Sequence, residues 1–154
     1  DKNNGWYVNG YGKIFHTIDG GANWEQQLEQ KGSFFRTIAF VDKTIGFVGT
    51  VGTDYFPNVT DTIPLYETKD GGKTWKGIAE NQGFGYASCV QYVPKSNSKK
   101  LVAVGTSGVY YSSDSGASWM QVSTDSSLNT IRFIDKNVAV AAGQNKMIRI
   151  KFNF

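Results

Sequence analysis

The segment Thr17-Ile18-Asp19-Gly20-Gly21-Ala22-Asn23-Trp24 recurs without gaps as Thr68-Lys69-Asp70-Gly71-Gly72-Lys73-Thr74-Trp75 and as Ser112-Ser113-Asp114-Ser115-Gly116-Ala117-Ser118-Trp119. Each copy reads [Ser/Thr]-x-Asp-x-Gly-x-x-Trp. The aspartates stand 51 and 44 residues apart. A repeat of that length is one supersecondary unit, which buries its apolar face only against a neighbouring copy. The chain is thereby committed to an array of similar units, and the period is that of propeller blades.

The flanks of the box repeat as well. After each tryptophan a polar stretch leads into an alternating run: Phe35 to Asp42, Tyr86 to Val93 and Leu128 to Asp135. Ile38 and Phe40, Val90 and Tyr92, and Ile131 and Phe133 fall at equivalent places in these runs, at the period-2 spacing of a sheet face. Before each box comes a short apolar run such as Gly46-Phe47-Val48-Gly49 or Leu101-Val102-Ala103-Val104-Gly105. No helical periodicity occurs. The chain reads as all-β, with four strands per unit, here called A to D.

One full unit has A at Phe35–Asp42, B at Gly46–Thr50, C at Leu65–Thr68 and D from Trp75. The next has A at Tyr86–Val93, B at Leu101–Gly105, C at Val109–Ser112 and D from Trp119. The chain opens on a B strand, Gly5-Trp6-Tyr7-Val8, and closes on A, B (Val138–Gly143) and C (Lys146–Phe152) with no box and no D. This predicts a β-propeller of four-stranded antiparallel blades, of which the chain is about three and a half. The units are a blade remnant over 1–30, blades over 31–82 and 83–125, and a terminal blade lacking its outer strand over 126–154. The asymmetry points to the C-terminal half of a larger propeller. The expected partner is then the missing N-terminal half, or a second chain completing the sheet edges. The alternative is a small complete protein pairing its open edges with another copy.

Composition removes several function classes. A net charge of +3 over 154 residues, with no basic block beyond Lys99-Lys100, gives no nucleic-acid footprint. No apolar run approaches membrane-spanning length. The single cysteine, Cys89, excludes an intrachain disulfide and a cysteine-based zinc cluster, and reads as an inert core thiol. The single histidine, His16, reads as packed between Phe15 and Thr17 in a C strand rather than as a catalyst. With no Gly-x-Gly-x-x-Gly after a strand and no metal ligand set, no cofactor and no metal are expected.

Box chemistry reads as structural. Asp19, Asp70 and Asp114 can accept backbone N–H groups in an Asx-type turn, and Gly21, Gly72 and Gly116 can supply a positive φ. The Ser/Thr hydroxyl adds a local hydrogen bond, while Trp24, Trp75 and Trp119 open strand D and bury a ring. One carboxylate per turn is far from the roughly six to eight oxygens that calcium takes.

The motif resembles the Asp-box, or BNR repeat, of sialidases, sortilin-type receptors and the photosystem II assembly and stability factors. The phrase Gly-x-Ile-x-x-Thr-x-Asp-Gly-Gly-x-x-Trp, from Gly12 to Trp24, is most similar to that last family and its secreted bacterial relatives. The resemblance implies a propeller fold, and it implies a secreted or periplasmic location. It implies no single activity, because the box recurs on proteins of unrelated function.

Box turns occupy one face of a propeller. The B-to-C and D-to-A connections occupy the other, where ligands usually bind. The long Thr50-to-Pro64 connection carries Tyr55 and Phe56, and the Gln82-to-Tyr86 connection carries Phe84 and Tyr86. These aromatics, with Arg36 and Arg132 as anion contacts on the inner strand, form the expected ligand face. Long loops on rigid scaffolds often carry binding residues.

The sialidases that the box resembles clamp a carboxylate with three arginines and react through a tyrosine–glutamate pair. The arginines here, Arg36, Arg132 and Arg149, do not fall at equivalent strand positions. Nor do Asp42, Asp135 and Glu67 suggest the facing acids, about 5–10 Å apart, that glycoside hydrolysis needs. Asn58-Val59-Thr60 is a glycosylation sequon, for which a bacterial-type chain has little use. The sequence therefore favours a non-enzymatic binding or assembly scaffold for a protein or glycan partner. The alternative is a sialidase-like glycoside hydrolase whose catalytic residues lie mostly in missing N-terminal blades.

Overall fold

A computed structural model describes residues 2–50, 65–80 and 87–154. Among these residues there is no helix, and the strands form four antiparallel sheets. The first sheet holds β1 (Gly5–Val8), β2 (Lys13–Thr17) and β3 (Glu25–Glu29), in that order. The second holds β4 (Phe35–Phe40), β5 (Gly46–Thr50), β6 (Leu65–Thr68) and β7 (Lys76–Ile78). The third holds β8 (Ala87–Tyr92), β9 (Leu101–Gly105), β10 (Gly108–Ser112) and β11 (Met120–Ser123). The fourth holds β12 (Leu128–Phe133), β13 (Val138–Gly143) and β14 (Lys146–Lys151). Each sheet is a meander, and β8 lies against both β4 and β12. This is a partial propeller whose innermost strands are β4, β8 and β12.

The core lies between sheets. Ile14, Phe35, Val48 and Tyr66 fill the first gap, with Val8, Leu28, Ile38 and Trp75 against them. Phe47, Leu65, Val90, Leu101 and Ala103 fill the second, with Ile78, Tyr92 and Trp119 alongside. Cys89, Val102, Val104, Val109, Leu128 and Ile131 fill the third. A strand sandwiched on both faces cannot alternate apolar and polar residues. That accounts for the unbroken small and apolar runs Gly46–Thr50 and Leu101–Gly105, in which every residue is buried.

Strand ends differ slightly from the sequence expectation, for local reasons. Strand A was expected to reach Asp42 and Asp135, but β4 and β12 stop at Phe40 and Phe133. Both aspartates turn the chain instead. Asp42 Oδ1 accepts the N–H groups of Thr44 and Ile45 at 2.7 and 2.9 Å. Asp135 Oδ1 accepts those of Asn137 and Val138 at 2.7 and 2.8 Å. Likewise β7 and β11 begin one residue after Trp75 and Trp119, because each indole is tied back into its turn.

Candidate functional site

The three box turns are superimposable in their hydrogen bonding. In the second, the Thr68 hydroxyl donates to Asp70 Oδ1 (2.9 Å) and accepts the Gly72 N–H (2.8 Å). Asp70 then accepts the Thr74 N–H on Oδ1 (2.9 Å) and the Thr74 hydroxyl on Oδ2 (2.6 Å). The Trp75 indole N–H closes the turn on the Gly72 carbonyl at 3.0 Å. Thr17, Asp19, Gly21, Asn23 and Trp24 repeat this set, as do Ser112, Asp114, Gly116, Ser118 and Trp119. Hydrogen bonds that favour the ionised carboxylate depress its pKa. The Asn23 N–H, helped by Thr17 and the Asn23 side chain, holds Asp19 at about 2. The Thr74 hydroxyl and N–H hold Asp70 at about 2, and Ser118 lowers Asp114. Every carboxylate oxygen is thus occupied by the turn itself, which leaves these aspartates little to offer a ligand.

Each box tip is fastened beside the A-to-B turn or its counterpart. Gly20, Gly71 and Ser115 donate their N–H groups to the carbonyls of Asn3, Thr44 and Lys99 at 2.8–2.9 Å. Box turns and A-to-B turns therefore share one face. Trp75 and Trp119 pack into the gap shared with the preceding sheet. Trp24 does not follow the expectation of a buried ring, and stays 42% exposed with Tyr7 edge-on against it. No described sheet precedes the first one to cover it.

The opposite face holds the starts of the inner strands, and each start is bulged. The ladder skips a residue between Phe35 and Thr37, between Ala87 and Cys89, and between Leu128 and Thr130. Arg36, Ser88 and Asn129 are the extra residues. A bulge re-aims a side chain and recurs beside functional sites. Arg36 and Asn129 are exposed, Ser88 half-buried, and Arg36 makes no ion pair among the described residues. Tyr11, at the β1–β2 turn on this same face, is 81% exposed. Sequence reading singled out Arg36 but missed Ser88, Asn129 and Tyr11. Aligning the inner strands on Ile38, Val90 and Ile131 would have brought Ser88 and Asn129 into register with Arg36. Tyr55, Phe56, Phe84 and Tyr86 lie outside the described residues.

Arg132 stands apart from Arg36. It pairs with Val140 near the far end of β12, three register positions beyond the bulge and on a strand separated from β4 by β8. Its Nη1 donates to Cys89 Sγ at 3.0 Å and to the Ile131 carbonyl at 2.8 Å. That guanidinium braces the contact between β8 and β12, so the two arginines do not converge. Arg149 is exposed on β14, two strands out from Arg132 in the same sheet and in register with it through Val140, but in a different sheet from Arg36.

Glu67 pairs with Lys69 at 3.2 Å. Tyr92 keeps its hydroxyl buried without a partner, and burial pushes that phenol well above its ordinary range. Among the described residues, no three His, Cys, Asp or Glu side chains are grouped to hold a metal ion. Among the described residues, no helix is long and apolar enough to cross a membrane.

A separate apolar groove of about 610 Å³ runs between β10–β11 and β14, lined by Tyr111, Met120, Val122, Ile148, Ile150 and Phe154. The outer edge of β14 has no paired strand among the described residues.

Comparison with known proteins accords with this geometry. No protein-family model matches the chain. The photosystem II assembly lipoprotein Ycf48 of Picosynechococcus sp. is 29% identical over a 147-residue alignment covering 73% of this chain and 42% of the relative. Ycf48 of Trichormus variabilis is 35% identical over 65 residues, covering 42% of this chain and 18% of the relative. The chain thus spans less than half the length of the curated relatives it matches. Among solved structures, Ycf48 bound to D1 peptide superposes with a TM-score of 0.65 at 18% identity, over 97% of this chain and 52% of that one. Ycf48 from Cyanidioschyzon merolae gives 0.64 at 18% identity, over 99% and 53%. An ancestral GH74 enzyme gives 0.64 at 15% identity, over 91% of this chain and 20% of its own, a likeness of fold alone. The chain is a β-propeller homologous to the Ycf48 photosystem II assembly factors.

Proposed function

We propose that this chain is part of a non-enzymatic binding or assembly scaffold that presents its bulged face to a protein partner. The observation that carries the reading is the homology to Ycf48, a solved example of which is bound to D1 peptide. Arg36, Ser88 and Asn129 support it, since the same bulge recurs at the start of every inner strand. Tyr55, Phe56, Phe84 and Tyr86 complete the proposed face, with Arg132 as a more remote anion contact. The box turns are the scaffold, each self-satisfied and fastened to its own sheet. The open β14 edge is closed by a strand from further blades of the same protein or from a second chain. Both curated relatives are named lipoproteins, which supports a periplasmic or secreted location.

A D1 peptide is the first probe, titrated against the whole protein by calorimetry. Arg36→Ala combined with Phe84→Ala is expected to weaken binding at least tenfold. Unchanged binding in that variant, together with loss on Lys73→Ala at the box face, would place the partner on the other side and overturn the reading.

A further inference from the structure

Where the first and second sheets meet on the box face, three side chains of one sheet close on the backbone of the other. Trp6 is sandwiched between His16, with ring centroids 4.4 Å apart, and Phe40, 3.7 Å apart. Its indole N–H donates to the Gly71 carbonyl at 3.2 Å. Gln27 Nε2 donates to that same carbonyl at 3.1 Å and lies 3.3 Å from His16 Nδ1. On the other side of the ring, His16 Nε2 lies 3.2 Å from Asn4 Oδ1.

These contacts favour one set of proton positions. A carbonyl only accepts, so the Gly71 oxygen requires the NH₂ end of Gln27 to face it. That same NH₂ faces His16 Nδ1, which must therefore accept. With Asn4 Oδ1 accepting from Nε2, the arrangement suits a neutral ring that carries its proton on Nε2. Adding a proton at Nδ1 sets N–H against N–H. Rotating the Gln27 amide relieves that clash only by turning its oxygen onto the Gly71 oxygen. Moreover, Gln27 Oε1 already lies against Gly72, where a built Cβ would come within 2.0 Å of it. Once Nδ1 is protonated, one orientation leaves the ring in conflict and the other leaves the Gly71 carbonyl in conflict.

We propose that His16 is a pH-sensitive latch: neutral, it holds Gln27 on the Gly71 carbonyl and keeps the first two sheets together, and protonated, it releases them. Burial lowers the His16 pKa, with Glu25 opposing. The cleft beside the ring is lined by Glu25, Lys43, Asp70 and Lys73, two charges of each sign, so no strong net field overrides the hydrogen-bond conflict. Stacking on Trp6 favours the cation, which makes Glu25 and Trp6 the two terms the latch must outweigh. A histidine held below its free value of about 6.5 contributes stability above that pH and loses it as pH falls toward its folded pKa.

The chain has a single histidine, so its imidazole nitrogen signals can be followed by NMR from pH 8 to 4.5, with His16→Phe as the assignment control. The expected result is an Nε2–H tautomer, a midpoint below that of a free histidine, and exchange of the Trp6 indole N–H at least threefold faster at pH 5 than at pH 7 after correction for intrinsic rates. His16→Phe, which keeps a ring against Trp6, is expected to remove that pH dependence. Should it fail to fold, Gln27→Met is expected to raise the histidine midpoint and flatten the Trp6 response. An Nδ1–H tautomer, a midpoint at or above the free value, or a Trp6 response that persists in either variant would overturn the proposal.

Discussion

The Thr68 hydroxyl accepts the Gly72 N–H at 2.8 Å, and Ser112 makes the same bond to Gly116 at 2.9 Å. Both hydroxyl residues are 1% exposed, and both bonds are buried. The oxygen sits at the centre of its turn, joining the strand to the aspartate and to the glycine beyond it.

Thr68→Val keeps the shape and removes that oxygen, leaving a buried N–H without an acceptor. The expected cost is about 1–3 kcal/mol. Ser112→Ala should cost about the same, whereas Thr68→Ser should be nearly neutral, since Ser112 already performs the role. Urea unfolding with an unchanged slope is the check. A loss below about 0.5 kcal/mol in both variants would mean that water replaces the hydroxyl.

The third box differs from the others at one backbone position. Gly20 and Gly71 have φ of 73° and 77°, and Ser115 adopts 63° at the equivalent place. Left-handed backbone favours glycine. Ser115→Gly should therefore raise stability by up to about 1 kcal/mol. Gly71→Ala should lower it by about 1–3 kcal/mol, since its Cβ would also come within 2.7 Å of the Lys43 carbonyl. Thermal unfolding of the pair should show shifts of opposite sign.

Much of this architecture was legible in the sequence because its determinants are local. The Asp, Gly and Trp of each box lie within eight residues, and their hydrogen bonds span two to four positions. Strand alternation on Ile38, Val90 and Ile131 gave the inner strands their register. The bulges were not legible: the extra residue falls before the alternating pair, so the pattern beyond it is undisturbed. Contacts across seams were equally hidden. Gln27 meets Gly71 across 44 residues and Arg132 meets Cys89 across 43, and nothing near either residue announces its partner.

Acid should loosen the turns in a defined window. Asp19 and Asp70 are held at about 2 by hydrogen bonds to their ionised forms, against an ordinary value of about 3.9. Asp125 is held at about 2 by Lys146 first, then by Ser127. A depressed carboxylate contributes stability above its unfolded pKa and loses it as pH falls through the folded one. Melting temperature should therefore fall between about pH 4 and pH 2. Asp70→Asn should already melt lower at pH 7 and show a shallower acid slope. An equal slope in that variant would assign the acid loss to other groups.

Binding and folding should separate at the bulges. Arg36 and Asn129 are exposed, and the ladder passes over both, so their side chains carry no sheet contact that alanine would break. Arg36→Ala and Asn129→Ala should each change stability by no more than about 0.5 kcal/mol. Thr37, the next residue on β4, behaves differently: its hydroxyl lies 3.5 Å from the Val90 N–H, and its methyl would come within 2.6 Å of a Cβ at Gly49. Gly49→Ala should therefore be markedly destabilising, although Gly49 is buried and offers a partner no side chain. A D1 peptide whose affinity falls with Arg36→Ala at unchanged melting temperature would identify the bulged face by binding alone. Parallel losses of affinity and stability would instead make Arg36 a structural residue.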